Sequence, residues 1–380
     1  MTNQSTIDRP SEVRKGDEIN AAAIAEFMHR HVQGLQGEMK IAQFRGGASN
    51  ITYQLDFDNA AFILRCPPVG TKAKSAHDMW REFNIMSKLK PVFAQVPDMI
   101  AFCKDDSLIG REFYVMEKLV GIIPRANMPK GVQLSEAQVR ELCTNVIDKL
   151  VELHKVDYAK AGLSDLGKGT GYVQRQISGW CDRFVKARTE NVPSCAKVMD
   201  WLKSNMPNDV STCIIHGDYR LDNLVLDAVH PTQIIGVLDW EMATLGDPLM
   251  DLGNSLAYWV EANDPLPLKL IRRQPTHLKG MFTRNEVVKY YCNKMGFGEI
   301  DFTFYRIYGL FRLAVIAQQI YFRYYNKQTT NPQFKNFNLM VEYLNLQCEE
   351  LLAKTITDKM GLVPRKLFLY LKFALTTVKK

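Results

Sequence analysis

The first third of the chain is written largely in short apolar–polar alternations, and most of the remainder in apolar positions three or four apart. Alternation turns one face of an extended strand toward a core, and the longer spacing does the same for a helix. Residues 21–32 carry helical spacing. Residues 41–57 read as two strands joined by the turn Arg45-Gly46-Gly47-Ala48-Ser49-Asn50, with Thr52-Tyr53-Gln54-Leu55 alternating as a strand should. A third strand over 61–65 stops at Pro67-Pro68, and the polar run 69–77 reads as a mobile loop. Residues 78–89 return to helical spacing, with Trp80, Phe83, Ile85, Met86 and Leu89 expected in the core. A further strand covers 113–116.

Downstream, the pattern is mostly helical. Ser135 with Gln138 resembles a capping box that opens a helix running to about His154. Further helices are predicted over 172–186, 196–205, 251–259, 283–295, 302–325 and 336–355, with no internal repeat or low-complexity tract. Strands with one helix inserted, then helices, predict an α+β chain of two lobes. The expected division is a disordered arm (1–18), a small, mainly β N-lobe (19–118) and a larger, mainly helical C-lobe (119–380).

Composition narrows the class. At 46% hydrophobic and 23% charged over 380 residues, the chain can bury a sizeable core. The net charge of +7 is diffuse, and no basic cluster interleaved with aromatics points to nucleic acid. A mild basic excess does suit anionic ligands, ATP among them. The eight cysteines form no C-x-x-C pair, which reads as dispersed reduced thiols. Residues 1–20 are unlike a secretory signal, and no segment approaches the roughly 20 apolar residues of a membrane span. A cytoplasmic enzyme is expected.

Chemistry concentrates in Ile214-Ile215-His216-Gly217-Asp218-Tyr219-Arg220-Leu221-Asp222-Asn223 and Val237-Leu238-Asp239-Trp240-Glu241. Phosphoryl transfer asks a protein mainly for positioning and charge neutralisation. Asp218 can accept a proton from a substrate hydroxyl. Asn223 and Asp239 offer the hard oxygens that magnesium prefers, with nucleotide phosphates completing its shell. His-Gly-Asp on a turn can be ordinary loop chemistry, but the spacing to both oxygen ligands argues against that. His216 reads as a brace for the loop, Glu241 as either a further ligand or a structural acid, and Asp247 and Asp251 as helix-start and loop-bracing acids.

The H-G-D-x-x-x-x-N form, with an aspartate after the next apolar run, resembles the aminoglycoside phosphotransferase and choline kinase-like family. Gly46-Gly47-Ala48-Ser49-Asn50, Val115-Met116-Glu117-Lys118 and Asp239-Trp240-Glu241-Met242-Ala243-Thr244-Leu245-Gly246-Asp247-Pro248 are similar to strings of one subgroup, sometimes fused to acyl-CoA dehydrogenase domains. The resemblance covers about residues 44–258. It implies a protein kinase-like bilobal fold using ATP and magnesium. By position it implies a phosphate-binding turn at Ser49 and Asn50, and Arg65 in the place of the phosphate-binding lysine. Glu82 becomes the partner of Arg65, and Glu117 and Leu119 the adenine-binding hinge, with Met116 as an apolar wall. Arginine for lysine is a departure, since its planar fork differs in reach. Lys72 and Lys74 are either phosphate contacts or part of a solvated loop.

The subgroup resemblance implies a small-molecule hydroxyl acceptor such as a hydroxyacyl thioester of coenzyme A. An antibiotic kinase is the alternative, though no dense acidic run offers a polycation its cleft. A nucleotide-binding pseudokinase would be expected to lack the base or a metal ligand. Arg306 and Arg312 are candidates to meet a substrate anion. The basic end, with Lys366, Lys372, Lys379 and Lys380 around Leu367-Phe368-Leu369-Tyr370-Leu371, either lies on a membrane surface or packs back onto the helical lobe.

Overall fold

The computed structural model describes residues 10–44, 50–68 and 78–378. Along the chain run α1 (Ala21–His31), β1 (Lys40–Gln43), β2 (Ile51–Asp56), β3 (Ala61–Cys66), α2 (Met79–Leu89), β4 (Met99–Cys103) and β5 (Phe113–Glu117). Then come α3 (Glu136–His154), α4 (Tyr172–Ala187), α5 (Ala196–Ser204), β6 (Cys213–Ile215), β7 (Leu224–Leu226), β8 (Ile234–Val237) and β9 (Thr244–Gly246). The helices α6 (Pro248–Ala257), α7 (Leu266–Leu270), α8 (Arg284–Met295), α9 (Thr303–Tyr325), α10 (Phe337–Leu352) and α11 (Ile356–Val378) complete it. The fold is bilobal α+β. Residues 1–134, 156–166 and 221–243 form one compact unit, and residues 135–155, 167–220 and 244–380 the other.

The first unit is built on a five-stranded antiparallel sheet in the order β1-β2-β3-β5-β4. Alternation along β2, β3 and β5 sends Tyr53, Leu55, Leu64, Cys66, Phe113 and Val115 to one face, where Ile24, Phe27 and Met28 of α1 cover them. Those three helix positions, spaced i, i+3, i+4, fall on one stripe. Each is worth about 1.5–3 kcal/mol when fully buried. The other face of β3 is left to Ile63 and Arg65. The pair β7–β8 belongs to the same unit.

Two expectations are corrected here. Residues 10–18 are not a loose arm: Ser11 exchanges backbone hydrogen bonds with Gln43 at 2.8 Å each way, and the buried Gln43 side chain binds Arg14 N and Asp17 Oδ2, both at 2.8 Å. Trp80 is 52% exposed rather than core. The Asp78 cap, accepting from Arg81 N at 2.9 Å, sets the helical phase so that Met79, Glu82, Ile85, Met86 and Leu89 face inward. Trp80 instead packs against Phe83 and Phe102. Strand β4 has no counterpart among the predicted elements because its run Met99-Ile100-Ala101-Phe102-Cys103 does not alternate cleanly.

In the second unit the capping box at Ser135 and Gln138 is present as expected. Helix α6 begins earlier than its apolar spacing indicates, at Pro248, because Asp247 caps it by accepting from Leu249 N (2.9 Å) and Met250 N (3.0 Å). It crosses α9 backbone to backbone. A Cβ on Gly309 would stand 2.1 Å from the Gly253 carbonyl oxygen, so only glycine fits there. That crossing brings Asp251 of α6 and Arg312 of α9 to the same loop.

Candidate active site

The first unit encloses a cavity of about 780 Å³, within the range of small-molecule sites. Ile63, Met116, Leu119, Val225 and Leu238 wall its apolar part, and Arg65, Asn223 and Asp239 stand at its polar part. Glu117 also lines it. The close approach of Leu119 depends on Gly236, where a Cβ would lie 2.2 Å from Leu119 Cδ1.

β3 delivers Arg65 to this cavity and α2 delivers Glu82 opposite it. Arg65 Nη1 lies 3.1 Å from Glu82 Oε2, and Nη2 lies 3.3 Å from Asp239 Oδ1. Burial works against the Arg65 charge, but Tyr114, Glu82 and Asp239 outweigh it and hold the guanidinium above its ordinary range. The Tyr114 hydroxyl donates to Glu82 Oε2 at 2.6 Å, and Asn50 Nδ2 donates to Glu82 Oε1 and Glu241 Oε2 at 3.3 Å each. The Glu82 carboxylate is thus buried but amply satisfied. Arg81 fastens the Glu241 and Ala243 carbonyls to α2.

Asp239 adopts φ 69°, a left-handed conformation for a non-glycine residue. Its neighbours impose it. Leu238 N donates to the Asn223 carbonyl at 2.8 Å, while Trp240 is fully buried, edge-on to Phe93, with its indole N–H on the Val237 carbonyl at 2.9 Å. Strain of this kind persists only where surrounding contacts over-determine it.

In the second unit the loop after β6 carries Asp218. Its shape is fixed by Asp251, which accepts from His216 N at 3.0 Å and Gly217 N at 2.9 Å. His154 Nε2 lies 3.2 Å from Asp251 Oδ2, with Nδ1 2.6 Å from the Tyr291 hydroxyl. Burial would raise the Asp251 carboxyl; His154 and the His216 amide outweigh burial and hold it below the usual carboxylate range. His216 braces the loop, accepting from Asp218 N at 3.2 Å. The buried Arg312 donates to the Gly217 carbonyl at 2.9 Å and lies over the Trp180 ring, so it supports the loop instead of facing a substrate. Arg306 lines a separate cavity with Arg284 and Lys289.

Arg220 is the arginine that meets the Asp218 side chain. Its Nη2 lies 3.1 Å from Asp218 Oδ2, its guanidinium stacks on Tyr258, and it lines a cavity of about 270 Å³. Arg272 and Arg273 border that cavity too, with Leu313, Ile316, Ile320, Phe337 and Met340 forming apolar walls. The sequence held one signal for it, the position two residues after Asp218 in the motif; nothing in the pattern linked it to residues 272–273.

Asn223 and Asp239 therefore share the cavity of the first unit, together with Arg65, Glu117 and Leu119, while Asp218 belongs to the second. Asn50 and Glu82 join through their own hydrogen bond. Ser49 and the glycines before it, as well as Lys72 and Lys74, lie outside the described residues. Among the described residues no group of three or more His, Cys, Asp or Glu could hold a metal unaided. Two oxygen donors at the polar part of the cavity nonetheless suit magnesium, which takes its remaining ligands from phosphates and water.

A model of the phosphotransferase enzyme family matches residues 40–282. Acyl-CoA dehydrogenase family member 10 of Mus musculus is 34% identical over 326 residues, 83% of this chain and 30% of that protein. Family member 11 of Homo sapiens is 33% identical over 324 residues, 83% of this chain and 40% of that protein. The chain thus spans well under half the length of these curated relatives. A provisionally named aminoglycoside phosphotransferase from Ralstonia eutropha JMP134, solved by crystallography, is 30% identical with a TM-score of 0.74, covering 88% of this chain and 99% of that one.

Proposed function

The chain belongs to the phosphotransferase enzyme family; from that premise we propose that it is a small-molecule phosphotransferase that transfers the γ-phosphoryl group of ATP to a hydroxyl on an anionic, partly apolar metabolite. A hydroxyacyl thioester of coenzyme A is the candidate acceptor. Nucleotide binding is assigned to the sheet-bearing unit and acceptor recognition to the helical one.

In this reading the acceptor hydroxyl oxygen attacks the γ-phosphorus, its proton passes to Asp218, and the bond to the β-phosphate oxygen breaks to leave ADP. Asn223 and Asp239 would hold magnesium, which supplies neutralisation of phosphate charge. Arg65, anchored by Glu82, directs its fork toward phosphate oxygens, and the backbone of residues 117–119 meets the adenine. Arg220 orients the Asp218 carboxylate. Eight buried thiols, all free, support a reducing, cytoplasmic setting. The basic C-terminal helix adds a candidate contact with an anionic membrane surface.

One observation carries the choice of acceptor. Arg220 touches Asp218 and also lines a cavity with apolar walls and two further arginines. Such a site favours an acyl chain with an anionic group and disfavours a polycationic antibiotic, whose ammonium groups would meet arginine. The test is a panel of hydroxyacyl-CoA esters, free hydroxy acids and aminoglycosides incubated with Mg·ATP and scored by mass gain of one phosphoryl group. Gain on the acyl compounds, reduced about 10²–10⁴-fold in Asp218→Ala, is the expected result. Transfer to aminoglycosides alone would reverse the assignment, and binding of Mg·ATP without transfer to any hydroxyl would favour a pseudokinase.

A further inference from the structure

Helix α11 packs within the second unit through Leu369 and Phe373, both buried, and Phe373 clusters with Val260, Leu268, Leu339 and Tyr343. That satisfies only one side of it. Ile356, Met360, Val363, Leu367, Leu371 and Leu375 are all exposed, and their spacing of four, three, four, four and four residues keeps them on one stripe. At 3.6 residues per turn the stripe spans about 120° and lies roughly opposite the packed side. Surface helices bury such a stripe; here it is turned outward, along 23 residues.

The charges are arranged around it. Lys359 falls toward one edge and Lys372 toward the other, where its Nζ lies 4.2 Å from the Phe368 ring centroid, while Lys366 is held to the packed side by α10. Within the helix the sole acid, Asp358, lies toward the packed side and accepts from Thr355 N at 3.0 Å. Arg365 and Lys366 meet Glu349 and Glu350 of α10. The stripe itself carries no carboxylate. Two copies laid stripe to stripe would bring Lys359 and Lys372 of each toward the other, and the stripe offers them no carboxylate. Anionic headgroups would meet the same edges favourably, because long lysine stems reach the headgroup layer while the apolar row enters the acyl boundary. No helix among the described residues is long and apolar enough to cross a membrane, so the contact is with the surface.

We propose that the outward stripe of α11 docks the protein on an anionic lipid surface. The stripe is on the opposite side of α11 from its packing contacts, so substitutions there leave the fold and the phosphoryl-transfer site intact.

The experiment is flotation of the full chain with vesicles of phosphatidylcholine alone and of phosphatidylcholine with phosphatidylserine, for the native protein, Leu367→Glu/Leu371→Glu and Lys359→Glu/Lys372→Glu. Thermal unfolding and ATP turnover are measured alongside, and light scattering reports mass. Expected is binding to the phosphatidylserine vesicles that weakens with salt and falls at least about tenfold in each double variant, with unfolding and turnover unchanged. Equal binding to both vesicle types, or binding to neither, overturns the proposal. So does a dimer that disappears in the leucine variant while vesicles are ignored, which would make the stripe a contact between copies.

Discussion

Arg65 Nη2 stands 3.3 Å from Asp239 Oδ1 while its Nη1 holds Glu82 at 3.1 Å, so one planar guanidinium joins strand β3 to both carboxylates. A lysine ammonium is a point charge and cannot repeat that two-armed geometry. Arg65→Lys should therefore keep part of the ATP affinity and lose the bridging, raising KM for ATP about 5–20-fold. Arg65→Ala should cost about 10–150-fold in kcat/KM, the scale of one charge-assisted hydrogen bond. Steady-state kinetics with varied Mg·ATP distinguish the two.

Asp239→Gly separates stability from chemistry. Glycine adopts φ 69° without a Cβ penalty, which returns about 1 kcal/mol. The same change removes the carboxylate proposed to hold magnesium. The expected result is an unchanged or slightly higher melting temperature together with loss of nearly all phosphoryl transfer; a fall in melting temperature would mean that the Arg65 contact outweighs the backbone term.

The Asp251 carboxyl, held below its ordinary range, gives a pH signature. A depressed carboxyl contributes stability that is complete above the unfolded-state pKa, about 3.9, and is lost as pH falls through the lower folded-state value. Native protein should exceed Asp251→Asn by at least about 2 kcal/mol at neutral pH, since two backbone amides lose a charged acceptor. The gap should narrow only below about pH 4. Urea unfolding of both proteins across acid pH reads it directly.

Filling the cavity beside Arg220 tests acceptor recognition. Ile316→Trp adds bulk to a wall of a cavity of about 270 Å³. KM for a hydroxyacyl acceptor should rise at least about tenfold, while KM for ATP stays constant. A parallel rise in both would signal a general loss of fold rather than a blocked acceptor site.

The sequence was most legible where one periodicity ruled a whole element. Helices α3, α8 and α9 stand within a residue or two of their expected limits because apolar spacing and caps agree. The pairing of Arg65 with Glu82 was implied by the family resemblance at those two positions, and the two side chains meet at 3.1 Å. Less legible were features made by distant chain segments. Met99–Cys103 lacked alternation, and Trp80 looked like core until the Asp78 cap fixed the helical phase. Gln43 drew residues 10–18 onto the sheet edge through contacts no local pattern encodes. Arg312 carried the same charge as Arg220, yet the Gly253–Gly309 crossing directs it to a loop carbonyl, and only position in space separates brace from binding group.

The eight cysteines, each enclosed by the fold and none bridged to another, have a practical consequence. Burial pushes the Cys66 thiol up to about 11, and Cys143 and Cys195 up to about 12, so few thiolates are available to alkylating dyes in the folded protein. One cysteine engineered at an exposed position such as Val120 would take a fluorophore selectively in the native chain. Nucleotide-dependent changes near the cavity could then be followed optically without first stripping the protein of its own sulfur.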